Sequence, residues 1–193
     1  MFVLNDLTRR IKEKVKDMNK LVWSHEQRYD RTIAFIKRHF SEGTKILDLG
    51  VESDMARVMR ANGFEVRNTQ GEDLDCDYEG YLDTGVDLVT SFEIFEHMLA
   101  PYNILKDLKT KHLIVSVPLK LWFAKAYWNK EDHWDTHYHE FEPIQIEHLL
   151  RRTGWEIVDS EKWRSSNFKH LGIRPLLRFI YPRYYILYCR RPG

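Results

Sequence analysis

Two carboxylates and an imidazole stand close together in the middle of the chain, at Glu93, Glu96 and His97. If this stretch is helical, spacings of three and four residues place all three side chains on one helix face. Carboxylate oxygens and imidazole nitrogens bind cations such as Mg²⁺ and Mn²⁺, and His137 or His139 could complete such a site. A structural interpretation competes with this one, because acidic side chains also stabilise a helix N-terminus through its dipole while the histidine only packs locally.

A second group of histidines follows further along the chain, and acidic residues surround it. The group consists of His133, His137, His139, Asp132, Asp135 and Glu140. Because imidazole titrates near neutral pH, His139 or His137 is a candidate general base for a substrate hydroxyl. The alternative is that His139 only anchors the loop before the next helix, and the sequence leaves both interpretations open.

Large aromatic residues precede these histidines. They are Trp122, Phe123, Tyr127, Trp128 and Trp134. Exposed on a pocket wall, they would suit an apolar or ring-shaped ligand. Core packing is the competing explanation, because large aromatics are mostly buried.

Short apolar runs must form the strands that position these side chains. The runs 46–49 and 86–89 have the length of strands that are buried on both faces, and each ends in polar or small residues. Strand and helix signals alternate along the chain, which favours a mainly parallel sheet with helices on both faces. Ligands bind such sheets at the carboxyl ends of the strands, where Asp48, Gly50, Ser91 and Phe92 lie.

The remaining elements follow from periodicity and from capping residues. We predict helices over 5–21, 25–39, 54–61, 93–108 and 143–152, and further strands over 64–68, 112–117, 155–158 and 184–189. The stretch 73–81 has little apolar content, so the helix expected there is shortened to a loop or a single turn. We expect one domain over 1–193, with N-terminal helices over 1–40 and a covering segment over 119–140.

Composition limits the function classes. The 193 residues suffice for one core without disulfides, and Cys76 and Cys189 are too few for a disulfide framework or a zinc site. The net charge of +1 gives no global argument for nucleic-acid binding, although the tail from Arg164 onward carries arginines and no acidic residue. We find neither a signal-peptide h-region nor an apolar run near the roughly 20 residues of a membrane span, so we expect a cytoplasmic protein without a transmembrane segment.

Four ordered motifs resemble those of class I S-adenosylmethionine-dependent methyltransferases over about residues 25–190. The acidic residue and glycine after the first strand are matched by Asp48 and Gly50. Glu93 to His97 match the Glu-x-x-Glu-His pattern, and Ser116 to Pro118 match the later strand end Ser-x-Pro. His139 to Phe141 match the His-x-Glu-Phe stretch, which is followed by a Gly-aromatic pair at Gly154-Trp155.

The glycine-rich turn departs from the family pattern. Glu52 and Asp54 stand where the second and third glycines of that turn would be, and Gln70 stands where the family has an acidic ribose-binding residue. Glycine serves in such a turn because the backbone passes close to the ligand. A Glu52 side chain could therefore block the cofactor, or swing out and leave a backbone amide to make the contact.

The resemblance implies a three-layer α/β/α sandwich with a seven-stranded, mainly parallel Rossmann-like sheet. It also implies S-adenosyl-L-methionine as cofactor and methyl transfer to a small-molecule acceptor, at oxygen. The implied cofactor contacts are Asp48, Gly50, Gln70, Asp75, Ser91 and Phe92; the implied catalytic residues, which are also the candidate ligands of Mg²⁺ or another divalent cation, are Glu93, Glu96, His97 and His139.

Two alternatives remain open at this point. The altered turn fits a non-catalytic methyltransferase-like binding protein that has lost its cofactor. The Glu-x-x-Glu-His pattern resembles that of metal-assisted ubiquinone-pathway O-methyltransferases and that of enzymes that methylate the 2′-hydroxyl at small-RNA ends. Together with His139 and the basic tail, it therefore leaves an RNA 2′-O-methyltransferase as the second alternative. Nucleic acid is not expected as a partner, because several tail aromatics belong to the last predicted strand rather than to an exposed stacking surface. The oligomeric state is not determined by the sequence.

Overall fold

A single mixed β-sheet organises the protein, which we describe from a computed structural model covering residues 27–82, 85–164 and 180–192. The strands are β1 (Lys45–Asp48), β2 (Glu65–Asn68), β3 (Leu88–Phe92), β4 (His112–Pro118), β5 (Glu156–Trp163) and β6 (Tyr184–Arg190). Their order across the sheet is β2-β1-β3-β4-β6-β5. The first four strands pair in parallel, and β6 joins β4 and β5 in antiparallel pairs.

Helices cover both faces of the sheet. They are α1 (27–37), α2 (Asp54–Ala61), α3 (Pro101–Asp107) and α4 (Pro143–Arg152). Alternate strand residues enter two separate apolar clusters: Ile46 packs with the cluster that contains α1 and α2 residues, whereas Leu47 packs with the cluster that contains α3 and α4 residues. This alternation confirms the predicted three-layer α/β/α class.

The described sheet has six strands rather than the predicted seven. Between β2 and β3 the described residues form only one regular element, the 3₁₀ turn Glu79–Tyr81, as predicted for 73–81. Leu74 is buried in the cluster that contains α3 and α4 residues, and Tyr78 and Tyr81 pack against that cluster. This short connection therefore covers part of the sheet face without a helix.

The prediction of one continuous helix over 93–108 is wrong. A 3₁₀ turn, Phe95–His97, is followed by extended backbone at Met98, and α3 begins only at Pro101. A residue that precedes proline is pushed out of the helical region, which accounts for the break at Ala100. Asp75 stabilises the break, because its carboxylate accepts hydrogen bonds from the Leu99 and Ala100 amides, both at 2.7 Å.

The other predicted elements are confirmed within a few residues. Pro143 opens α4, where Glu142 and Gln145 form a reciprocal capping box. The antiparallel strand predicted over 155–158 is longer, ending at Trp163. The segment 119–140 is irregular apart from the 3₁₀ turn His133–Asp135. The helix predicted over 5–21 lies outside the described residues. Within the described ranges, no helix is long and apolar enough to cross a membrane.

One arginine of the basic tail closes the C-terminal ends of two helices. The Arg191 guanidinium donates to the α3 carbonyl oxygens of Leu105 (2.8 Å) and Lys106 (2.7 Å) and to the carbonyl of Thr153 at the end of α4 (3.4 Å). It also lies 4.7 Å from the Trp155 ring centroid. A cation near the last carbonyls of a helix is favoured by the helix dipole and satisfies carbonyls that have no partner within the helix.

We therefore expect Arg191→Leu to lower the free energy of unfolding by about 1.5–3 kcal/mol, the range for hydrogen bonds to a charged group. Urea denaturation measures this change. Arg190→Leu is the matched control, because the contact of the Arg190 side chain with the described residues is an exposed ion pair with Glu156 at 3.8 Å. Equal destabilisation by the two substitutions would contradict the capping role of Arg191.

Candidate functional site

Asp48 lies at the carboxyl end of β1 with only 3% of its surface exposed. The parallel register places Asn68 of β2 and Thr90 of β3 on either side of it. Thr90 Oγ1 donates to Asp48 Oδ1 at 2.7 Å, and Asn68 Nδ2 donates to Asp48 Oδ2 at 3.1 Å. Burial raises the pKa of Asp48 to about 6, although these two hydrogen bonds oppose the rise.

The turn after β1 requires glycine at Gly50. Its φ of +101° lies in the left-handed region, and a Cβ added there would stand 2.9 Å from Ile94 Cδ1. Side chains from the end of β2 fix this turn: the Gly50 amide donates to Thr69 Oγ1 at 2.9 Å, and Asn68 Nδ2 donates to the Gly50 carbonyl at 3.3 Å. The backbone here is therefore well placed for close approach by a ligand.

The two acidic residues that replace glycines in the turn point away from the site. Glu52 Oε1 accepts a 2.5 Å hydrogen bond from Arg60 Nη1, and its side chain is half-exposed. Asp54 accepts from Arg57 Nη1 at 2.9 Å on the outer face of α2. Of the two conformations considered for Glu52, the structure shows the one in which the side chain has swung out.

A cavity of about 120 Å³ opens beside Asp48. Its walls come from the ends of β1, β3 and β4 and from α1, and they include Val51, Ser53, Phe92, Glu93, Ser116 and Arg28. Small-molecule pockets usually measure roughly 300–1,000 Å³, so this cavity has room for one end of a nucleoside-sized ligand rather than the whole.

A larger cavity of about 450 Å³ lies at the opposite edge of the sheet. It is lined by Asp87 and His112, which stand at the amino ends of β3 and β4. Parallel α/β sheets bind ligands at the carboxyl ends of their strands, and the polar groups described above converge there. We therefore place the candidate site beside Asp48.

Gln70 is exposed beyond the end of β2, and its side chain donates to the Asn68 carbonyl at 3.3 Å. The backbone N–H of Gln70 donates to Glu72 Oε2 at 2.7 Å, and the Tyr81 hydroxyl donates to the other oxygen of the same carboxylate. The hydrogen bond from Tyr81 holds the pKa of Glu72 below its usual value. A carboxylate thus does lie beside Gln70, two residues later than the family pattern suggested.

The other predicted cofactor contacts differ in position. Phe92 lines the cavity, and Ser91 is buried on β3 with a hydroxyl that has no hydrogen-bond partner among the described residues. The two oxygens of the Asp75 carboxylate accept hydrogen bonds from the Leu99 and Ala100 amides. Asp75 therefore stabilises the loop before α3.

Glu93 links the ends of β3 and β4 to α1. It adopts a left-handed φ of 57°, which is uncommon for a residue with a side chain. Ser116 Oγ donates to Glu93 Oε1 at 3.0 Å, and Arg28 Nη1 donates to Oε2 at 3.4 Å. Burial raises the pKa of Glu93, and the Arg28 cation opposes this rise. Glu93 therefore does not share a helix face with Glu96 and His97, contrary to the prediction.

Glu96, His97 and His137 come together beside this ion pair. One carboxylate oxygen and one nitrogen from each imidazole lie within 4.8 Å of one another. Glu96 is almost fully buried, and its Oε2 accepts no hydrogen bond from any described residue. Burial and the nearby Glu93 carboxylate raise the pKa of Glu96 well above its usual value. Such a carboxylate needs a proton or a cation close by.

Neighbouring acceptors fix the tautomers of the two histidines. His97 Nδ1 lies 3.1 Å from the Thr136 carbonyl, and His137 Nδ1 lies 3.2 Å from Glu140 Oε1. These oxygens accept only, so in the neutral form each Nδ1 carries the proton and each Nε2 keeps a lone pair. Desolvation lowers the pKa of His97, which favours that neutral form at pH 7.

Of the two histidines that the sequence offered for this group, His137 belongs to it, whereas His139, the one implied by the family resemblance, lies outside it. The amides of Tyr138 and His139 both donate to the Glu96 carbonyl, at 2.8 and 3.1 Å. The His139 ring stacks on Phe141, and its Nε2 lies 3.3 Å from the Leu99 carbonyl. The backbone of His139 thus anchors the loop, as one sequence interpretation held, while His137 supplies the imidazole.

The aromatic residues of 119–140 are largely at the surface. Trp122, Trp128 and Trp134 are each more than half exposed, so core packing does not explain them. Tyr127 is the one nearest the candidate site, with its ring centroid 5.1 Å from that of His137. These residues remain candidates for contact with an acceptor.

Sequence reasoning did not single out Arg28, Asn68 and Arg60, which all contribute to the site. Each is polar and lies outside the family motifs, so only the three-dimensional arrangement identifies it. The register of β1 with β2 could have indicated Asn68, because parallel pairing places the last residues of the two strands side by side.

Comparison with known proteins supports the fold and the family. A methyltransferase-domain family model matches residues 22–160. No curated protein matches the sequence. Several solved structures share the fold at sequence identities below 20%.

One of these structures is a chain of the Haloferax volcanii complex between the Trm112 methyltransferase activator and a methyltransferase. Its sequence is 14% identical to this one, and the two structures superpose with a TM-score of 0.58 over 89% of this chain and 95% of the Haloferax chain. Another is the Burkholderia thailandensis 1,6-didemethyltoxoflavin-N1-methyltransferase with bound S-adenosylhomocysteine, at 18% identity and a TM-score of 0.57, over 89% and 81% of the two chains.

A third neighbour, the [4+2]-cyclase SpnF, is 16% identical with a TM-score of 0.51, over 84% of this chain and 81% of that chain. Its name shows that this fold is not restricted to one reaction. The family match, which covers most of this chain, is the decisive finding. Together with the α/β/α fold, it shows that the chain belongs to the class I, Rossmann-like family of S-adenosylmethionine-dependent methyltransferases.

Proposed function

We propose that the cavity beside Asp48 binds the amino-acid end of S-adenosylmethionine and that the protein methylates an oxygen atom of a small hydroxylated acceptor. The observation that carries this proposal is the buried Asp48 carboxylate next to the left-handed Gly50, with Glu52 turned outward. An anionic group and an open backbone are what the ammonium and carboxylate of a methionine moiety require.

The residues present fit that cofactor in three respects. Asp48 in its ionised form would pair with the ammonium group, and the backbone at Gly50 would lie against the ligand. Arg28, which lines the same cavity, is the cation suited to the ligand's carboxylate. The ribose would lie over Gln70, with the neighbouring Glu72 carboxylate as a second acceptor for its hydroxyls.

The acceptor would lie on the side of Glu93, Glu96, His97 and His137. S-adenosylmethionine supplies an activated methyl group, so alignment of the acceptor oxygen accounts for much of the rate. His97 Nε2, which has a lone pair in the neutral ring, would take the hydroxyl proton as the oxygen attacks. Exposed aromatics of 119–140 would cover an acceptor that has an apolar or ring-shaped body.

The same three side chains could instead bind a divalent cation, in which case His97 Nε2 would coordinate the ion and would not accept the proton. Two imidazoles and one carboxylate form a mixed nitrogen and oxygen set, and the orphaned Glu96 oxygen would gain a partner. Such an ion would lower the pKa of an acceptor hydroxyl bound to it. The ligands in this proposal are Glu96, His97 and His137, rather than the predicted set with Glu93 and His139.

The first test is cofactor binding after a change at Gly50. We expect Gly50→Val to abolish calorimetrically detected binding of S-adenosylhomocysteine, because the side chain would clash with Ile94 and oppose the left-handed backbone. Gly80→Val is the control, since a Cβ at Gly80 meets nothing within 4 Å and its φ is not in the left-handed region. Unchanged affinity in Gly50→Val would contradict the assigned site, and absence of binding by the unaltered protein would favour a non-catalytic relative.

A second test separates stability from function at Asp48. Because its folded pKa of about 6 lies above the usual value, the charge destabilises the fold at neutral pH: stability is greatest below the unfolded pKa and is lost as the pH rises through 6. Asp48→Asn removes that charge and can keep both hydrogen bonds. We expect its melting temperature at pH 7.5 to equal or exceed that of the unaltered protein, while affinity for S-adenosylhomocysteine falls at least tenfold, roughly the value of one charged contact. A lower melting temperature with retained affinity would contradict both assignments.

A third test concerns the cation. We expect Mn²⁺ or Zn²⁺ to raise the melting temperature of the protein, and His137→Gln to remove most of that increase by deleting one imidazole ligand. His133→Gln is the matched control, because the exposed His133 belongs to the same segment but not to the group. If neither metal changes the melting temperature, the three side chains act without a cation and His97 is left as the proton acceptor.

A further inference from the structure

Arg60 makes an unusually complete set of contacts for an outer residue of α2. Its guanidinium donates to Glu52 Oε1, to the Val66 carbonyl at 3.0 Å and to Asn68 Oδ1 at 3.0 Å. One planar fork therefore joins the turn after β1 to the end of β2. A lysine ammonium lacks this fixed, divergent set of donors.

The contact with Arg60 fixes which way the Asn68 amide faces. Because Arg60 donates to Oδ1, the Nδ2 group must point to the other side, where it donates to Asp48 Oδ2 at 3.1 Å and to the Gly50 carbonyl at 3.3 Å. If the amide turned over, Oδ1 would face two acceptors and both contacts would be lost. Arg60, which does not itself line the cavity, thus supports from the Oδ1 side the same orientation that Asp48 and Gly50 favour from the Nδ2 side.

We propose that Arg60 and Asn68 are positioning residues for the cofactor: Arg60 orients the Asn68 amide onto Asp48 and Gly50, and it draws the Glu52 side chain away from the cavity. This inference rests on the proposed function, because it concerns the same cofactor site. It explains how a turn that lacks two of the family's glycines keeps its open conformation. Cross-strand side chains replace the backbone freedom that those glycines would provide.

The same contacts control the charge of Asp48. The groups that face it are Thr90 from β3, Asn68 from β2 and Arg60 from α2, with Arg28 and Glu93 on the walls of the same cavity. Burial raises the pKa of Asp48, whereas Thr90, Asn68 and the Arg60 cation lower it. Removal of Arg60 therefore raises the pKa further. A cofactor ammonium pairs with the ionised carboxylate. As the pH is lowered, the variant without Arg60 should therefore lose affinity at a higher pH than the unaltered protein.

The test is the affinity for S-adenosylhomocysteine of Arg60→Met, measured by calorimetry between pH 5 and 8.5. We expect about a tenfold weaker affinity at pH 7.5, the order expected for loss of a charge-assisted hydrogen bond. We also expect the pH at which affinity falls to half its maximum to rise, because the Arg60 cation lowers the pKa of Asp48. A purely structural role for Arg60 would weaken binding equally at every pH.

Arg57→Met is the matched control. It removes the same charge from the same helix, but Arg57 contacts Asp54 and Glu52 rather than Asn68. We expect it to keep the unaltered pH profile. Arg60→Lys keeps the charge without the fork, and an intermediate loss of affinity is expected; it serves as the second variant if Arg60→Met does not fold.

Three outcomes would overturn the inference or its basis. Unaltered affinity and pH profile in Arg60→Met would show that Asn68 holds its orientation without Arg60. Equal effects of Arg60→Met and Arg57→Met would indicate a general charge effect on α2. If the unaltered protein binds no S-adenosylhomocysteine, the proposed function itself fails, and the inference fails with it.

Discussion

The candidate site depends on a carboxylate that is held, out of water, at the end of a central strand. Asp48 keeps its place because parallel pairing brings Thr90 and Asn68 beside it, and both donate hydrogen bonds to it. A buried carboxylate with weaker support would protonate or distort the turn. Burial still raises the pKa of Asp48 to about 6, so the site retains a charge that costs the fold stability. Such a cost is expected where a charge serves binding rather than packing.

A second interaction connects the proposed cofactor side to the proposed acceptor side. Glu93 leaves β3 with a left-handed backbone and receives hydrogen bonds from Ser116 of β4 and Arg28 of α1. Only three residues later, Glu96 enters the group that it forms with His97 and His137. Glu93 also lines the cavity beside Asp48, so it connects the end of β1 to the group that contains Glu96. This arrangement would place a methyl donor and a proton acceptor in one connected region.

The sequence predicted the parts of the structure that follow from local pattern. Apolar runs located the strands, and Pro143 located α4, because burial and capping leave clear signals. The helix over 93–108 was mispredicted, since the effect of Pro101 and the caps from Asp75 prevailed over the apolar spacing. The roles of Asn68 and Arg60 depend on strand register. The choice between His137 and His139, which the sequence left open, depends on loop hydrogen bonds to the Glu96 carbonyl. Such tertiary contacts leave no periodic signal.

A crystal structure of the protein grown with S-adenosylhomocysteine tests the assignment of the cofactor site most directly. We expect the ligand's amino group within hydrogen-bonding distance of the Asp48 carboxylate, against the Gly50 turn, with Glu52 still paired to Arg60. Its sulfur should face the side occupied by Glu93, His97 and His137. A ligand bound elsewhere, or a Glu52 side chain that occupies the cavity while the ligand stays in solution, would contradict the assignment of this site.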